Sequence, residues 1–583
     1  MVGQLLSPGG VPAIMTNWTR MRALGCLALV VAFLTACSFT EIEAADQTTP
    51  KKPAKNKKKE KEASGTKPVK TAASVKAPAT PGFLPSGAKL SAAQLAAHID
   101  EVLNKGLSKE KVTPSPRTTD EEFLRRVYLD ITGQIPSPEQ ALAFLDSKDE
   151  TKRAKLVEEL LASPQFGERL ADIWQALLVE RNSDNRQLAQ YLPNLRKWLT
   201  EQFNANKPWD KIVSDILTAS GDVTENGAAV FFLANPTADK MTDTTTRMFL
   251  GVQLQCAQCH NHPFTDYKQD EYWGMAAFFL KTRAQGNVKA AAKENKGIVI
   301  SETPAAKGKK TGLPESAKIL PPKFLQDVAP TIASNAPHRP VLAQWLTSKS
   351  NPFFARAMVN RLWGQYFGRG LVNPVDDMHD ANPATHPELL SDLASQFIAH
   401  DFDIKYVVRA IVLSEAYQRS SRPANNADVE PEMYARMAVK PLSPEQLYDA
   451  LTKVLGNANK ADRTKNKAAL KGPSTAREQF VTFFGIEDGA DPTEYAAGIP
   501  QVLRLMNSPQ FNTLAAASRI TAGAKTPAES LEKLYLTVLS RRPSQDEAER
   551  VLKYLKESKE PARESWAGVL WALLNSSEFA LNR

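Results

Sequence analysis

The chain contains little cysteine and little histidine, 4 and 7 of its 583 residues. Small secreted proteins that rely on several disulfide bonds are rich in cysteine, so that class of protein is excluded. Beyond the N-terminal region, no unbroken apolar run reaches the roughly 18 residues of a membrane-spanning helix, which excludes a protein with several such helices. Neither a glycine-rich phosphate-binding loop nor the nucleophile elbow of serine hydrolases is recognisable.

Positive charge is concentrated near the N-terminus. The net charge is +9, and residues 46–82 contribute most of it, with ten lysines against three acidic residues. The first 45 residues carry no net charge, which leaves about +2 for the remaining 501 residues. So small a charge does not favour a nucleic-acid-binding body.

The N-terminal segment has the features of an export signal. Arg20 and Arg22 precede an apolar run over residues 24–36, which is too short to cross a bilayer comfortably. The run leads into Leu34-Thr35-Ala36-Cys37, which matches a bacterial lipobox and predicts a lipid anchor on Cys37. Soluble secretion after cleavage near Ala44 and a retained signal anchor remain alternatives. Each of them predicts an extracytoplasmic body, in the periplasm or at the cell surface.

The pattern after the N-terminal region predicts a mainly α, multi-helical protein. Residues 137–140 (SPEQ) combine a capping serine, a proline in the first turn and a glutamine that can complete a capping box. Alternating strand patterns are scarce. Apolar residues recur at helical spacing, for example at Tyr272, Met275, Ala276 and Phe279.

Composition divides the chain into five regions. In order, we expect a signal peptide and lipobox region, a disordered linker rich in Lys, Pro and Ala, a first helical domain, a linker or insertion, and a second helical domain: residues 1–45, 46–85, 86–283, 284–325 and 326–583. The linker or insertion contains a short β-prone piece at residues 298–300.

One helical unit recurs within the chain. Residues 128–166 and 535–579 each combine a helix, a Pro-Ser turn, further helix and the pattern Leu-Leu-x-Ser-x-x-Phe. No chemistry-bearing residues are attached to this pattern. We interpret the unit as a recurring helical packing module.

The strongest chemical signal is the run Cys256-Ala257-Gln258-Cys259-His260. It reads Cys-x-x-Cys-His, the pattern that attaches a c-type haem. Cys256 and Cys259 would form the thioether bonds and His260 would ligate the iron. The other two cysteines lie in the export segment, so both cysteines of the body fall in this motif. The pattern predicts haem c and one-electron transfer with an unidentified redox partner.

Two alternatives use the same residues. In an oxidising compartment, Cys256 and Cys259 could form a disulfide in a non-enzymatic cell-surface scaffold. Alternatively, His260 and His262, with Asp266 as a further candidate, could join the two thiolates around zinc. Four ligands within seven residues are crowded, so a zinc site would need a ligand from elsewhere.

The second axial ligand of a haem iron is not evident in the motif. His262 is only two residues from His260 and cannot easily reach the opposite face of the ring. His379, His386 and Met378 are therefore further candidates, since they lie in a polar loop. The same loop, with Asp376, Asp377, Asp380 and Asn382, could instead be the acid–base or metal cluster of a metal-dependent enzyme acting on an exported polymer, or a set of turn-forming residues.

The chain resembles planctomycete exported proteins that pair two domains of unknown function, a cytochrome-like domain and its usual C-terminal partner. For the first domain, the resemblance is carried by residues 126–133 (RVYLDITG), 160–169 (LLASPQFGER) and 256–264 (CAQCHNHPF). For the second, it is carried by residues 351–356 (NPFFAR), 359–363 (VNRLW) and 386–390 (HPELL). The resemblance extends from about residue 90 to residue 583. It implies a haem-bearing first domain and names no reaction.

Overall fold

A computed structural model describes residues 82–583, with internal gaps. The gaps are residues 86, 180–185, 287–296, 303–312, 315, 327–328, 334–335, 426–428, 457–475 and 485–512. The predicted signal peptide, Cys37 and residues 46–81 therefore lie outside the described residues. The described residues all belong to one unit of the chain, residues 73–583. Among them, no helix has the length and apolar character needed to span a membrane.

Helices dominate the first part of the described chain, as predicted. The α-helices are α1 Ala92–Lys109, α2 Asp120–Thr132, α3 Pro138–Asp146, α4 Lys152–Ala162, α5 Pro164–Leu178, α6 Arg186–Ala189, α7 Leu192–Asn204, α8 Trp209–Thr218, α9 Val230–Ala234, α10 Ala238–Thr245 and α11 Gln269–Ala276. Short 3₁₀-helices cover Gly227–Ala229 and Gln255–Gln258, and a π-helical turn covers Thr246–Leu250.

The later part of the chain is helical as well. Its α-helices are α12 Arg339–Leu346, α13 Phe354–Phe367, α14 Pro387–Ala399, α15 Ile404–Leu413, α16 Pro444–Leu455, α17 Ala476–Phe484, α18 Thr513–Ile520, α19 Pro527–Leu539, α20 Gln545–Glu557, α21 Ala562–Leu574 and α22 Ser577–Ala580. A 3₁₀-helix covers Pro431–Met433. The prediction of a mainly α, multi-helical fold is confirmed.

Short strands form two small antiparallel sheets. One has the order β1-β3-β2, and the other pairs β4 with β5. The β-prone piece predicted at residues 298–300 contributes to β3, so that prediction is confirmed. The strands are β1 Gly221–Asp222, β2 Thr282–Gln285, β3 Val299–Glu302, β4 Lys440–Pro441 and β5 Leu581–Asn582.

Serine caps determine where several helices begin. In each case the serine hydroxyl accepts the N–H of the third helical residue, whose Gln or Glu side chain accepts the serine N–H in return. This reciprocal arrangement satisfies backbone donors that would otherwise lack partners, and loss of such a cap costs about 1 kcal/mol. The capping box predicted at residues 137–140 is among them. The capping serines are Ser91, Ser137, Ser443 and Ser544.

The recurring unit of the sequence is also present in the structure. Helices α2 and α19 both end at a residue in the left-handed backbone region, Gly133 (φ 71) and Ser540 (φ 60). Each is followed by a helix, α3 or α20, that begins with a capping box. The two copies contact one another, because the Arg125 guanidinium donates to the carbonyls of Val538 (3.1 Å) and Phe579 (2.9 Å).

Buried apolar side chains form two clusters. The larger runs from Ala92 to Met437 and also includes Leu536. The smaller joins residues 442–579 to Leu129 and Ile135 of the first part of the chain. The larger cluster therefore draws on both of the predicted helical domains.

A buried ion pair connects distant parts of the chain. Asp130, in α2, accepts a hydrogen bond from Lys440 Nζ (2.7 Å) and from the amide of Asn582 (2.8 Å) on one carboxylate oxygen. Its other oxygen accepts from the Tyr417 hydroxyl (2.8 Å). Lys440 also donates to two carbonyl oxygens at the end of α13, at 3.0 and 2.8 Å. The pair thus joins α2, α13, β4 and the C-terminal strand β5.

Replacing Asp130 is expected to destabilise the protein strongly. Asp130→Ala leaves the Lys440 ammonium buried without its carboxylate, and loss of one partner of a buried ion pair costs about 3–5 kcal/mol. Denaturant unfolding measures the loss. Glu201→Ala, which removes the exposed partner of Lys197, is the control and is expected to change little. Equal losses in the two variants would contradict a structural role for the buried pair.

Candidate functional site

The cysteine–histidine motif begins in the 3₁₀-helix Gln255–Gln258, shortly after the π-helical turn. The π-helical turn ends at Gly251, whose φ of 67° lies in the left-handed region that glycine adopts without strain. A Cβ atom at this position would lie 3.2 Å from Met378 Sδ. Glycine therefore meets two needs here, the backbone reversal and the close approach of another segment. π-Helical turns are rare and are frequent at functional sites.

Helix α11 holds the backbone of the motif. The Gln269 side-chain amide donates to the carbonyls of Gln258 (3.2 Å) and Cys259 (3.0 Å). The indole N–H of Trp273, which is buried, donates to the same Gln258 carbonyl (3.0 Å). These bonds fix the main chain while the thiols of Cys256 and Cys259 remain free and exposed. Both thiols are accessible to a group that approaches from the surface.

The ring of His260 is oriented by its own backbone neighbour. Its Nδ1 lies 2.7 Å from the carbonyl oxygen of Asn261. Since a carbonyl can only accept, Nδ1 is assigned the hydrogen and Nε2 is left as an acceptor. Metal-ligating histidines commonly have this arrangement, with one nitrogen donating to a carbonyl and the other directed to the metal.

His262 lies on a turn that folds back toward α11. Its N–H donates to the Tyr267 carbonyl (2.8 Å), and its Nδ1 accepts the Phe264 N–H (3.3 Å). Burial lowers the pKa of His262, and positive charge on His379 and on His260 lowers it further, while Asp377 opposes the shift. The charge of His379 therefore acts on His262, although about 120 residues separate the two histidines in sequence.

A loop from the later part of the chain packs against the approach to the motif. We call residues 373–382 the docked loop. The Met378 N–H donates to the Gly251 carbonyl (2.8 Å), and the Gln253 amide donates to Asp376 Oδ1 (3.2 Å). Two segments that are far apart in sequence thus share hydrogen bonds immediately before the cysteines.

The polar residues predicted as an acid–base cluster mostly stabilise the docked loop itself. The Asp376 carboxylate faces Arg247 (3.6 Å) and Arg361 (3.8 Å). Asp377 Oδ2 lies 3.5 Å from His379 Nε2, and the Asn382 amide donates to the Asp377 carbonyl (2.9 Å). Charge pairing and turn hydrogen bonds therefore occupy most of these side chains. Asp380 contributes negative charge near Tyr267.

The three residues predicted as candidates for the second ligand of a haem iron have different surroundings. Met378 packs against Gly251, and His379 acts electrostatically on His262. His386 instead packs against Tyr434, with 5.8 Å between ring centroids, and beside Gly106 of α1. Met378 therefore contacts the segment just before the motif, His379 lies next to it in the docked loop, and His386 has a separate set of neighbours.

Within the described residues, no group of three or more His, Cys, Asp or Glu side chains is placed to hold a metal ion. The zinc alternative needs four such ligands.

Exposed apolar side chains flank the motif, and sequence reasoning missed them. Phe264 is 77% exposed and Ile319 is 64% exposed. The segment that carries Ile319 reaches the motif through Ser316, whose Oγ lies 3.8 Å from Cys259 Sγ. Each of these exposed apolar side chains is available for contact with a ligand or partner.

A carboxylate pair behind the motif was also missed. Asp239 and Asp243 are one helical turn apart on α10, a spacing that could have indicated a shared face. The Gln258 amide donates to Asp239 (3.3 Å), and the Tyr272 hydroxyl donates to Asp243 (3.0 Å). Burial, with a contribution from Asp239, raises the pKa of Asp243 to about 7, although the Tyr272 hydrogen bond opposes this.

Two protein families match the chain. Residues 98–284 match PSCyt2, described as a protein of unknown function (DUF1549), and residues 338–555 match PSD1, also described as a protein of unknown function (DUF1553). The chain thus carries this pair of domains of unknown function in this order. The name of the first family suggests a cytochrome-like domain. No curated protein and no solved structure is significantly similar to the chain.

The motif lies in the PSCyt2 region and the docked loop lies in the PSD1 region. The backbone bond between Met378 and Gly251 therefore connects the two matched domains. The candidate site is formed where they meet.

The contact between Gly251 and Met378 can be tested by substitution. Gly251→Ala is expected to lower the free energy of unfolding by more than the roughly 1–2 kcal/mol of left-handed strain, because the new methyl group would press on Ala357 and on Met378, each 3.2 Å away. Gly523→Ala is the matched control, since Gly523 has a φ of 74° and no atom within 4 Å of a Cβ. Thermal unfolding measures both. Equal losses would show that the docked loop does not press on Gly251.

Proposed function

We propose that this chain is an exported c-type haem protein that transfers single electrons to or from a redox partner. The proposal rests on the arrangement of the cysteine and histidine side chains in the motif. The two thiols of Cys256 and Cys259 are free and exposed, and the adjacent His260 has its Nδ1 bound to a carbonyl. The name of the PSCyt2 family agrees with a cytochrome-like domain.

The residues of the motif fit the attachment chemistry. The S–H bonds of Cys256 and Cys259 would add across two vinyl groups, forming two thioether bonds with no atom lost. His260 would ligate the iron through Nε2, because Nδ1 is engaged with Asn261. Haem supplies a reversible one-electron change at iron, whose potential depends on its ligands, hydrogen bonds and burial.

The surface around the motif also suits a large apolar group. Phe264 and Ile319 expose apolar area that is unfavourable in water. Covering these side chains with a porphyrin face would remove that area from solvent. A bare disulfide or a metal ion between Cys256 and Cys259 would leave both side chains exposed.

We further propose His379 as the second ligand of the iron. The bond between Met378 and Gly251 holds the docked loop beside the motif, and the charge of His379 acts on His262. His386, packed against Tyr434, is the weaker choice. In this proposal, each of the two matched domains would contribute one histidine ligand to the iron.

Export and a lipid anchor complete the proposal. Covalent haem attachment takes place outside the cytoplasm, in agreement with the signal-like segment over residues 20–37. A lipidated Cys37 would hold the body near a membrane surface through the lysine-rich linker. The redox partner would then be another exported or membrane-associated protein.

Haem attachment is tested with the exported protein, matured in a host that attaches c-type haem. The wild-type chain is expected to carry the mass of one haem and to stain for covalent haem after denaturing electrophoresis. Cys256→Ala with Cys259→Ala is expected to abolish both signals. Ser316→Ala, which removes the hydroxyl near Cys259 but neither thiol, is expected to retain them. A colourless wild-type protein, two hydrogens lighter than its reduced chain, would contradict haem attachment and indicate the disulfide.

The second ligand is tested by absorption spectroscopy of the haem-loaded protein. His379→Ala is expected to convert a six-coordinate low-spin spectrum into a high-spin one, because one strong-field ligand is lost. His386→Ala is the matched control and is expected to leave the spectrum unchanged. A wild-type spectrum in His379→Ala would exclude this histidine as the second ligand.

A further inference from the structure

A hydrogen-bonded polar network lies directly behind the cysteine–histidine motif. It starts at Gln258, between the two cysteines, whose side-chain amide donates to Asp239 Oδ2 (3.3 Å). The Gln258 carbonyl accepts from Trp273 (3.0 Å), and the neighbouring Tyr272 donates to Asp243 Oδ1 (3.0 Å). The motif is thus bonded directly to Asp239 and is linked to Asp243 through Trp273 and Tyr272, two adjacent residues of α11.

The environment of Asp243 makes its charged form costly. Its carboxyl is mostly buried, and Asp239 lies one helical turn away, with an Oδ1 that has no hydrogen-bond partner among the described residues. The burial of Asp243 and its proximity to Asp239 both disfavour a negative charge on Asp243. Arg247 and Lys240 favour the carboxylate, as does the Tyr272 hydrogen bond, and the pKa of Asp243 is still raised to about 7.

The Tyr272 hydroxyl donates a hydrogen bond to Asp243 and does not release its proton. Its side chain is fully buried between α10 and the motif. Burial raises the pKa of Tyr272 well above its usual value, and the charges of Asp243, Asp239 and Cys259 raise it further. The hydroxyl therefore keeps its proton and supports the carboxylate form of Asp243. The group of this network that can change its proton occupancy near neutral pH is Asp243.

We propose that Asp243 is a proton-binding site linked to electron transfer at the motif, an inference that rests on the proposed haem function. When one electron arrives from a one-electron donor, the Asp243 carboxylate takes one proton from water and becomes a carboxylic acid. When the electron leaves, Asp243 returns the proton to water. The physical reason is electrostatic: a negative charge added at the motif raises the free energy of the Asp243 carboxylate behind the buried Tyr272, and uptake of a proton removes that repulsion.

The proposal predicts that the reduction potential depends on pH. In a spectroelectrochemical titration of the haem-loaded, exported protein, the midpoint potential is expected to fall as pH rises through the region around 7. The limiting slope for one proton per electron is about 59 mV per pH unit. Asp243→Asn keeps the acceptor oxygen for Tyr272 but cannot ionise, so the slope is expected to disappear in this region.

Two further variants show whether the effect belongs to Asp243. Asp270→Asn is the control, because Asp270 is an exposed acid on α11 that pairs with Lys318, and its slope is expected to match the wild type. Tyr272→Phe removes a hydrogen bond that favours the carboxylate, so the pH-dependent region is expected to move to higher pH. Reduced-minus-oxidised infrared difference spectra provide a second readout, in which a carboxylic-acid band is expected in the wild type and absent in Asp243→Asn.

The outcomes separate this proposal from the proposed function. If haem is attached and Asp243→Asn keeps the wild-type slope and infrared band, Asp243 is not the linked site and the haem function stands. If Asp270→Asn loses the slope as fully as Asp243→Asn, the linkage reflects general surface charge and the proposal is overturned. If no haem is attached to the wild-type chain, both proposals fail.

Discussion

The buried pair between Asp130 and Lys440 is the interaction on which the arrangement of the chain most depends. A carboxylate in α2 and an ammonium in β4 are taken out of water together, with Tyr417 and Asn582 as further donors to the carboxylate. Charges in such surroundings are tolerated only when each finds its partners. This requirement holds the C-terminal strand β5 and the smaller apolar cluster against the first part of the chain.

The same joining of distant segments recurs at the candidate site. Helix α11 fixes the peptide backbone of the motif through Gln269 and Trp273, and Gly251 accepts the docked loop. The backbone is constrained while the thiols and the His260 ring stay at the surface. A rigid main chain with accessible side chains is suited to binding a large group without rearrangement.

Much of the local structure could be predicted from the sequence. The capping box at Ser137, the β-prone piece at residues 298–300 and the helical unit that recurs near the C-terminus all appear in the structure. These features depend on residues that are close in the chain, where cap hydrogen bonds and side-chain periodicity act directly. The Cys-x-x-Cys-His spacing is local in the same sense, and it locates the candidate site.

What the sequence could not determine was which distant residues meet. His379 and His386 lie in similar polar surroundings in sequence, yet His379 comes to the motif and His386 packs on Tyr434. Asp239 and Asp243 carry no motif, and only their packing against Tyr272 and Gln258 makes them part of the site. Helix caps and motif spacing follow from neighbours in the chain. The contact between Gly251 and Met378 arises only when segments more than a hundred residues apart pack together, and the pKa of Asp243 shifts only when the packing of α10 against α11 excludes water from its carboxyl.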